Sequence, residues 1–153
     1  MKIDYLTDNI VFAEVVAGWI YNEFIKGIKT DQSYETVLSS IKICYKTELP
    51  IRLIAIIDNK CVGTVSIVQN DLRCREYTPW LAALYVDERF RKNKIGQQLI
   101  QRVISITASL GYKELYLRTE HASNFYRKLG WQFVEACDDD YNLKPDVFKL
   151  LLE

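Results

Sequence analysis

The chain has 153 residues, 49% of them hydrophobic and 26% charged, and its 20 basic and 20 acidic side chains give a formal net charge of +0. That length suits one domain, expected over residues 1–153, and the balance excludes a disordered chain and a generally basic nucleic-acid binder. No apolar run approaches the roughly 20 residues of a membrane span, and MKIDYLTDNI carries acids where a signal peptide is apolar, so the chain reads as cytoplasmic.

Residues 1–6 predict a short strand, after which Thr7 or Asp8 can cap a helix running to about Lys26. Val11, Phe12, Val15, Val16, Trp19, Ile20 and Phe24 recur at helical spacing and form its expected apolar face. A second helix is predicted from Asp31 or Ser33, with Tyr34, Val37, Leu38, Ile41 and Tyr45 on one side, stopping near Leu49 and Pro50. The pattern then becomes β-branched. IRLIAIID (51–58) and CVGTVSIVQ (61–69) flank a Asp58-Asn59-Lys60 turn and predict a hairpin. A polar loop (70–78) leads to WLAALYV (80–86), a third strand.

Ile95, Leu99, Val103, Ile106 and Leu110 then define a helix of about four turns, closed by Gly111. ELYLR (114–118) is another strand, and Ala122, Phe125, Tyr126 and Leu129 mark a short helix ended by Gly130. WQFVEA (131–136) and DVFKLLL (146–152) close the chain as strands; the last could pair within the chain or across a homodimer. The order β-α-α-β-β-β-α-β-α-β-β is that of an α/β layer fold with a mixed sheet.

Cys44, Cys61, Cys74 and Cys137 include no CxxC pair, and His121 is the sole histidine, so no metal site is expected. The cysteines read as reduced, mostly buried thiols. LYVDERFRKNKIGQQLI (84–100) is more informative: a buried strand runs into a basic turn that opens a helix. Free amides and the helix dipole, with Arg89, Arg91, Lys92 and Lys94, fit either a seat for a pyrophosphate or a solvated basic turn before an ordinary amphipathic helix. There is no GxGxxG after a strand, no GxxxxGK[ST] and no GxSxG.

This stretch resembles motif A of the GCN5-related N-acetyltransferases, V-x-x-x-x-R-x-x-G-x-G/A. Arg91 and Gly96 match its arginine and its last glycine, and Lys94 stands where the middle glycine is usual. HASNFYRKLGWQFVE (121–135) resembles the family's A-x-x-x-Y-x-x-x-G-[FYW] segment through Ala122, Tyr126, Gly130 and Trp131, with Thr119 where many members carry Asn. The resemblance spans roughly residues 50–136 and implies a GNAT-like fold with direct transfer of an acetyl group from acetyl-CoA to an amine.

It implies further that Leu84, Tyr85 and Val86 pair with the pantetheine arm. Arg91, Lys92, Asn93, Lys94, Ile95, Gly96 and Gln97 would offer backbone N–H groups to the pyrophosphate, beside Thr119. Tyr126 would be the general acid. The attacking amine must lose a proton, and Glu76 leads His121 and Glu120 as candidate base. The acceptor would be a small-molecule or peptide amine, met by the N-terminal helices, the 70–79 loop and the acidic 137–146 segment with Asp138, Asp139 and Asp140. A non-catalytic acyl-CoA sensor and a partner-binding α/β domain are the rival readings.

Overall fold

A computed structural model of the chain describes residues 1–139 and 141–153. The strand β1 (Lys2–Tyr5) passes into two 3-10 turns, Leu6–Asp8 and Ile10–Phe12, before α1 (Ala13–Ile20) begins. The expected helix start at Thr7 or Asp8 is thus corrected. Asn9 breaks the path, its side-chain amide donating to the Tyr5 carbonyl (2.8 Å) and to Asp4 (3.1 Å), while Asp8 pairs with Lys46. The late start rotates the buried face to Ala13, Val16, Ala17 and Ile20; Val11, Val15 and Phe24, expected inside, are exposed. A π-helical turn, Tyr21–Ile25, extends α1.

The second helix, α2 (Tyr34–Ile41), is capped by Ser33. The Thr36 N–H donates to Ser33 Oγ (3.2 Å) and the Ser33 N–H to Thr36 Oγ1 (2.8 Å), a reciprocal capping box. It ends well short of the expected Leu49-Pro50, because Cys44 turns inward and the Tyr45 N–H donates to the Pro50 carbonyl (3.0 Å).

The hairpin β2 (Ile51–Ile57) and β3 (Lys60–Val68) turns through Asp58 and Asn59, both left-handed (φ 50° and 63°), the conformation that two-residue hairpins demand. Then follow β4 (Trp80–Val86), α3 (Ile95–Ser109), β5 (Glu114–Thr119), α4 (Ser123–Lys128), β6 (Gln132–Ala136) and β7 (Asp146–Leu151). Gly111 (φ 94°) and Gly130 (φ 93°) end α3 and α4 in the left-handed region, where a side chain would be strained.

Among the described residues the sheet runs β1-β2-β3-β4-β5-β7-β6. Every neighbouring pair is antiparallel except β4 and β5. β7 is enclosed between β5 and β6, so the last strand pairs within the chain and has no free edge.

On one face α3 buries Ile95, Leu99, Ile100, Val103 and Ile106 against β2 to β5, with Tyr126 and Trp131 completing the cluster. On the other, α1 and α2 cover Ile54 and Cys61. A third cluster on the 70–79 loop's side joins Leu72, Trp80, Tyr116 and Val147. Helices on both faces explain why β3 is buried almost throughout. Cys44 and Cys61 are buried, Cys137 is half-buried and Cys74 is exposed, all as free thiols.

Candidate active site

The sheet parts at its centre. β4 and β5 pair only at Trp80 with Tyr116, and the strands share no further register. One cause lies in β4. Between Ser66↔Ala82 and Thr64↔Tyr85 the single residue Val65 opposes both Ala83 and Leu84, and Ala83 is held at φ 55°. Such a bulge bends a strand and sharpens its twist. Beyond it the Asp87 N–H donates to the Val62 carbonyl (2.9 Å), so by the alternation of the ladder the amide groups of Val86 and Leu84 face the parted side. Tyr85 turns its ring to Trp19 of α1 (centroids 5.4 Å).

At the mouth of the parting stands the basic turn. Its four cations are not equivalent. Arg89 is tied to Asp87 (2.9 Å), whose carboxyl is held below its usual range by hydrogen bonds from the Arg89 side chain and backbone. Arg91 Nε donates to the Val86 carbonyl (2.9 Å) and its guanidinium lies over the Tyr85 ring (5.1 Å). Asn93 Nδ2 holds the Phe90 carbonyl (3.1 Å). Lys92 and Lys94 are exposed and, among the described residues, pair with no acid.

The first intrahelical bond of α3 runs from the Gln98 N–H to the Lys94 carbonyl (3.1 Å). Ile95, Gly96 and Gln97 therefore present N–H groups with no helical acceptor. Lys94 itself caps the helix at φ 60°, ψ 21°, and Lys92 lies at φ 71°.

A left-handed lysine costs roughly 1–2 kcal/mol, which explains the fitness of a glycine at this position. Lys94→Gly is expected to keep acetyl-CoA affinity or strengthen it, and to leave the melting temperature level or slightly raised. The relieved strain is offset in part by the freer unfolded chain. Calorimetry and a melt decide it: a tenfold loss of affinity would assign the holding to the lysine side chain instead of its amide.

An open groove of about 300 Å³ continues from this turn between α3 and the start of β6, lined by Lys94, Gln97, Gln101, Ile104, Leu129 and Trp131. Deeper on the same face is Tyr126, buried (8% exposed) with its ring near Phe125 (5.1 Å), Trp131 (6.0 Å) and Phe148 (6.4 Å). Burial pushes its hydroxyl up to about 12, and no described residue hydrogen bonds to it. Thr119 Oγ1 accepts from the Ala122 N–H (3.0 Å) and so fixes the entry to α4.

The remaining predicted residues scatter. Glu76 is exposed and has no partner among the described residues; His121 is exposed. Glu120 accepts from Arg118 (2.7 Å). Trp80 is core, fully buried.

Within the acidic segment Asp139 is not a free anion. Burial works against ionisation of Asp139, but bonds from Arg118 (2.6 Å), the Tyr141 N–H (2.8 Å) and the Leu143 N–H (2.9 Å) outweigh it and hold the carboxyl low. Asp140 lies outside the described residues.

Two features have no local sequence signal. Arg75 clasps Glu135 through two bonds (2.8 and 2.7 Å) and Tyr77 adds its hydroxyl, which together hold the Glu135 carboxyl at about 2 and pin the 70–79 loop to β6. Asp71, at the start of that loop, is pushed up to about 7, chiefly by burial. Both depend on partners more than 40 residues away, beyond any motif.

A mixed sheet parted between two parallel strands, with a helix start of free amides at the mouth of the parting, is the frame of this α/β protein. A sequence model of the Acetyltransferase (GNAT) family matches residues 18–131. The chain belongs to that family. No curated protein sequence matches it.

Solved structures do. An aminoglycoside 6'-N-acetyltransferase complexed with coenzyme A superposes with a TM-score of 0.76 at 19% identity, covering 99% of this chain and 97% of that one. The aminoglycoside 6'-N-acetyltransferase of Enterococcus faecium gives 0.74 at 19% identity over 99% and 97%. A GNAT acetyltransferase of Streptococcus pneumoniae gives 0.72 at 16% identity over 99% of each chain. These likenesses establish the shared fold. Among the described residues no helix is long and apolar enough to cross a membrane, and no cluster of His, Cys, Asp and Glu could hold a metal ion.

Proposed function

We propose that residues 1–153 form one acetyl-CoA-dependent N-acetyltransferase acting on a primary amine of a small molecule or a peptide. The observation that carries this reading is the parted sheet with unspent amides at its mouth and an unpartnered tyrosine hydroxyl on its α4 side. The residues fit the donor. A Cβ built on Gly96 meets only Val86 Cγ2, at 3.9 Å, so the fold itself does not require glycine there and the space is left for a ligand.

Acetyl-CoA, when bound, supplies an acyl thioester activated toward amines. Backbone N–H groups of Lys94 through Gln97 hold the pyrophosphate, and Lys92 and Lys94 add charge whose worth falls with salt. The amides of Lys92 and Asn93 border the same turn, whereas the Arg91 N–H, expected from sequence to join them, is spent on the Glu88 carbonyl (3.4 Å). Leu84 and Val86 offer their free edge to the amide-bearing arm, with Tyr85 bracing the strand. Thr119 keeps α4, and so Tyr126, in place. The Tyr126 hydroxyl stays protonated at neutral pH and is aimed to give its proton to the leaving sulfur.

Glu76, on the loop before β4, is the base read from sequence for the amine. The aminoglycoside-modifying neighbours support a small cationic acceptor, and four free thiols suit a cytoplasmic setting.

Acetyl-CoA at 100 times its Kd is expected to stabilise the fold by about 2.7 kcal/mol. A flat thermal titration to millimolar acetyl-CoA would remove the donor site. Free-thiol release across an acceptor panel then separates an enzyme from a sensor, which would bind without turnover.

A further inference from the structure

On the sheet face away from α3 and α4, two apolar covers lie side by side without merging. One is the α1 and α2 cluster that reaches Ile54 and Cys61; the other is the cluster of Leu72, Trp80, Tyr116 and Val147. The second cluster holds Trp80 and Tyr116, the one pair that joins β4 to β5 before the strands part. Asp71 directly precedes Leu72 of that cluster. Its carbonyl accepts from Arg118 Nη1 (3.4 Å), and Arg118 lies two residues past Tyr116, where β5 last pairs with β4. The same guanidinium is already shared by two other acids, Glu120 (2.7 Å) and Asp139 (2.6 Å). The Asp71 carboxyl receives no hydrogen bond from a described residue.

We propose that the Asp71 carboxylate is the base that removes the proton from the acceptor's ammonium group, on the sheet face opposite Tyr126. The inference rests on the N-acetyltransferase reading and replaces Glu76 in that role. In the step an N–H bond of the ammonium breaks and an O–H bond forms on the carboxylate. Both charges are cancelled, the nitrogen keeps its lone pair, and the proton later leaves to solvent from this half-buried residue.

Placement favours the step. A donor admitted from the α3 side leaves the opposite face of the parting to the amine, so the two substrates meet within the sheet. A cationic amine approaching there finds a carboxylate that no other cation fully neutralises. The proton affinity agrees: burial raises the carboxyl most, Arg118 lowers it, Glu120 raises it, and the result near 7 matches a base working at neutral pH. Asp139 faces the same arginine from the segment before β7. Glu76 is exposed and lacks any such setting.

The test has two arms. Carboxyl ¹³C NMR of the free protein is expected to show one aspartate titrating near pH 7, absent in Asp71→Asn and displaced when spermidine, kanamycin or a peptide with a free N-terminus is added. With acetyl-CoA and whichever of these is acetylated, kcat/KM is expected to rise through about pH 7. In Asp71→Asn that rise disappears and the rate near pH 7.5 falls about 100-fold, with acetyl-CoA affinity unchanged.

An Asp71 carboxyl titrating near the ordinary aspartate value of about 4 overturns the proposal. So does a carboxyl signal indifferent to all three amines, or a rise kept in Asp71→Asn and lost in Glu76→Gln. Absent acetyl-CoA binding in the wild type would instead remove the acetyltransferase reading, with the Asp71 titration still standing.

Discussion

Gly96→Val is expected to weaken acetyl-CoA binding by about 10²–10³-fold while the melting temperature stays within a few degrees of wild type. The fold tolerates the change, because a Cβ at 96 reaches only Val86 Cγ2, at the ordinary contact distance of 3.9 Å. Helix propensity is close to neutral for the exchange, since both residues are modest helix formers. The ligand would not tolerate it. A branched side chain at the second position of α3 covers the N–H groups of Ile95, Gly96 and Gln97. One or two charge-assisted bonds of about 1.5–3 kcal/mol each are lost, at about 1.4 kcal/mol per tenfold in affinity. Titration calorimetry and a thermal melt on the same sample measure both halves. Gly96→Ala, which adds the Cβ alone, serves if valine perturbs the helix. Wild-type affinity in Gly96→Val would place the pyrophosphate elsewhere than this turn.

The contrast between Gly96 and Lys94 shows what a motif conveys and what it does not. Both positions were legible as parts of a basic turn that opens a helix, because a strand running into such a turn is a local pattern. That Lys94 occupies a left-handed conformation was not legible, since lysine has no preference for it. Nor was the spending of Arg89 on Asp87 and of Arg91 on the Val86 carbonyl, which leaves the two lysines as the turn's free charges.

The strands β2 and β3 followed from β-branched runs, β4 from an apolar one, and α3 and α4 from periodicity ended by Gly111 and Gly130. Periodicity failed at α1, because it assigns a face only once the start of the helix is known. Asn9 moved that start and turned Val11 and Val15 outward. It failed again at the end of α2, where an inward cysteine and a bond to Pro50 outweigh helical continuation.

The parting of the sheet depends on Ala83 holding a positive φ inside an apolar strand, a conformation alanine does not advertise. Asp71 was invisible for a different reason. Its surroundings are assembled by Arg118 and Glu120, residues that only the fold brings to the 70–79 loop.

Tyr126→Phe is expected to lower turnover by about 10²–10⁴-fold, or roughly 3–5.5 kcal/mol of barrier, with donor affinity little changed. The variant keeps the ring, and the ring is what packs: Phe125, Trp131 and Phe148 surround it at 5.1, 6.0 and 6.4 Å. The hydroxyl that is removed bonds to no described residue, so the fold loses no hydrogen bond and the melting temperature should hold.

Burial places the hydroxyl at about 12, so it is protonated throughout the working range and contributes no limb to the pH profile there. A thiol has an ordinary value near 8.5, which makes full transfer uphill before the C–S bond breaks. The same dry surroundings raise the proton affinity of the departing thiolate. In the proposed reaction the hydroxyl therefore acts as a hydrogen-bond donor that hardens into an acid only as charge collects on sulfur. An interaction made mainly in the transition state lowers kcat and kcat/KM together. Single-turnover rates are the measurement, because slow product release would mask the loss in the steady state. A modest fall in donor affinity would mean that the hydroxyl also touches sulfur in the ground state. Wild-type single-turnover rates in Tyr126→Phe would leave this residue a member of the core and nothing more.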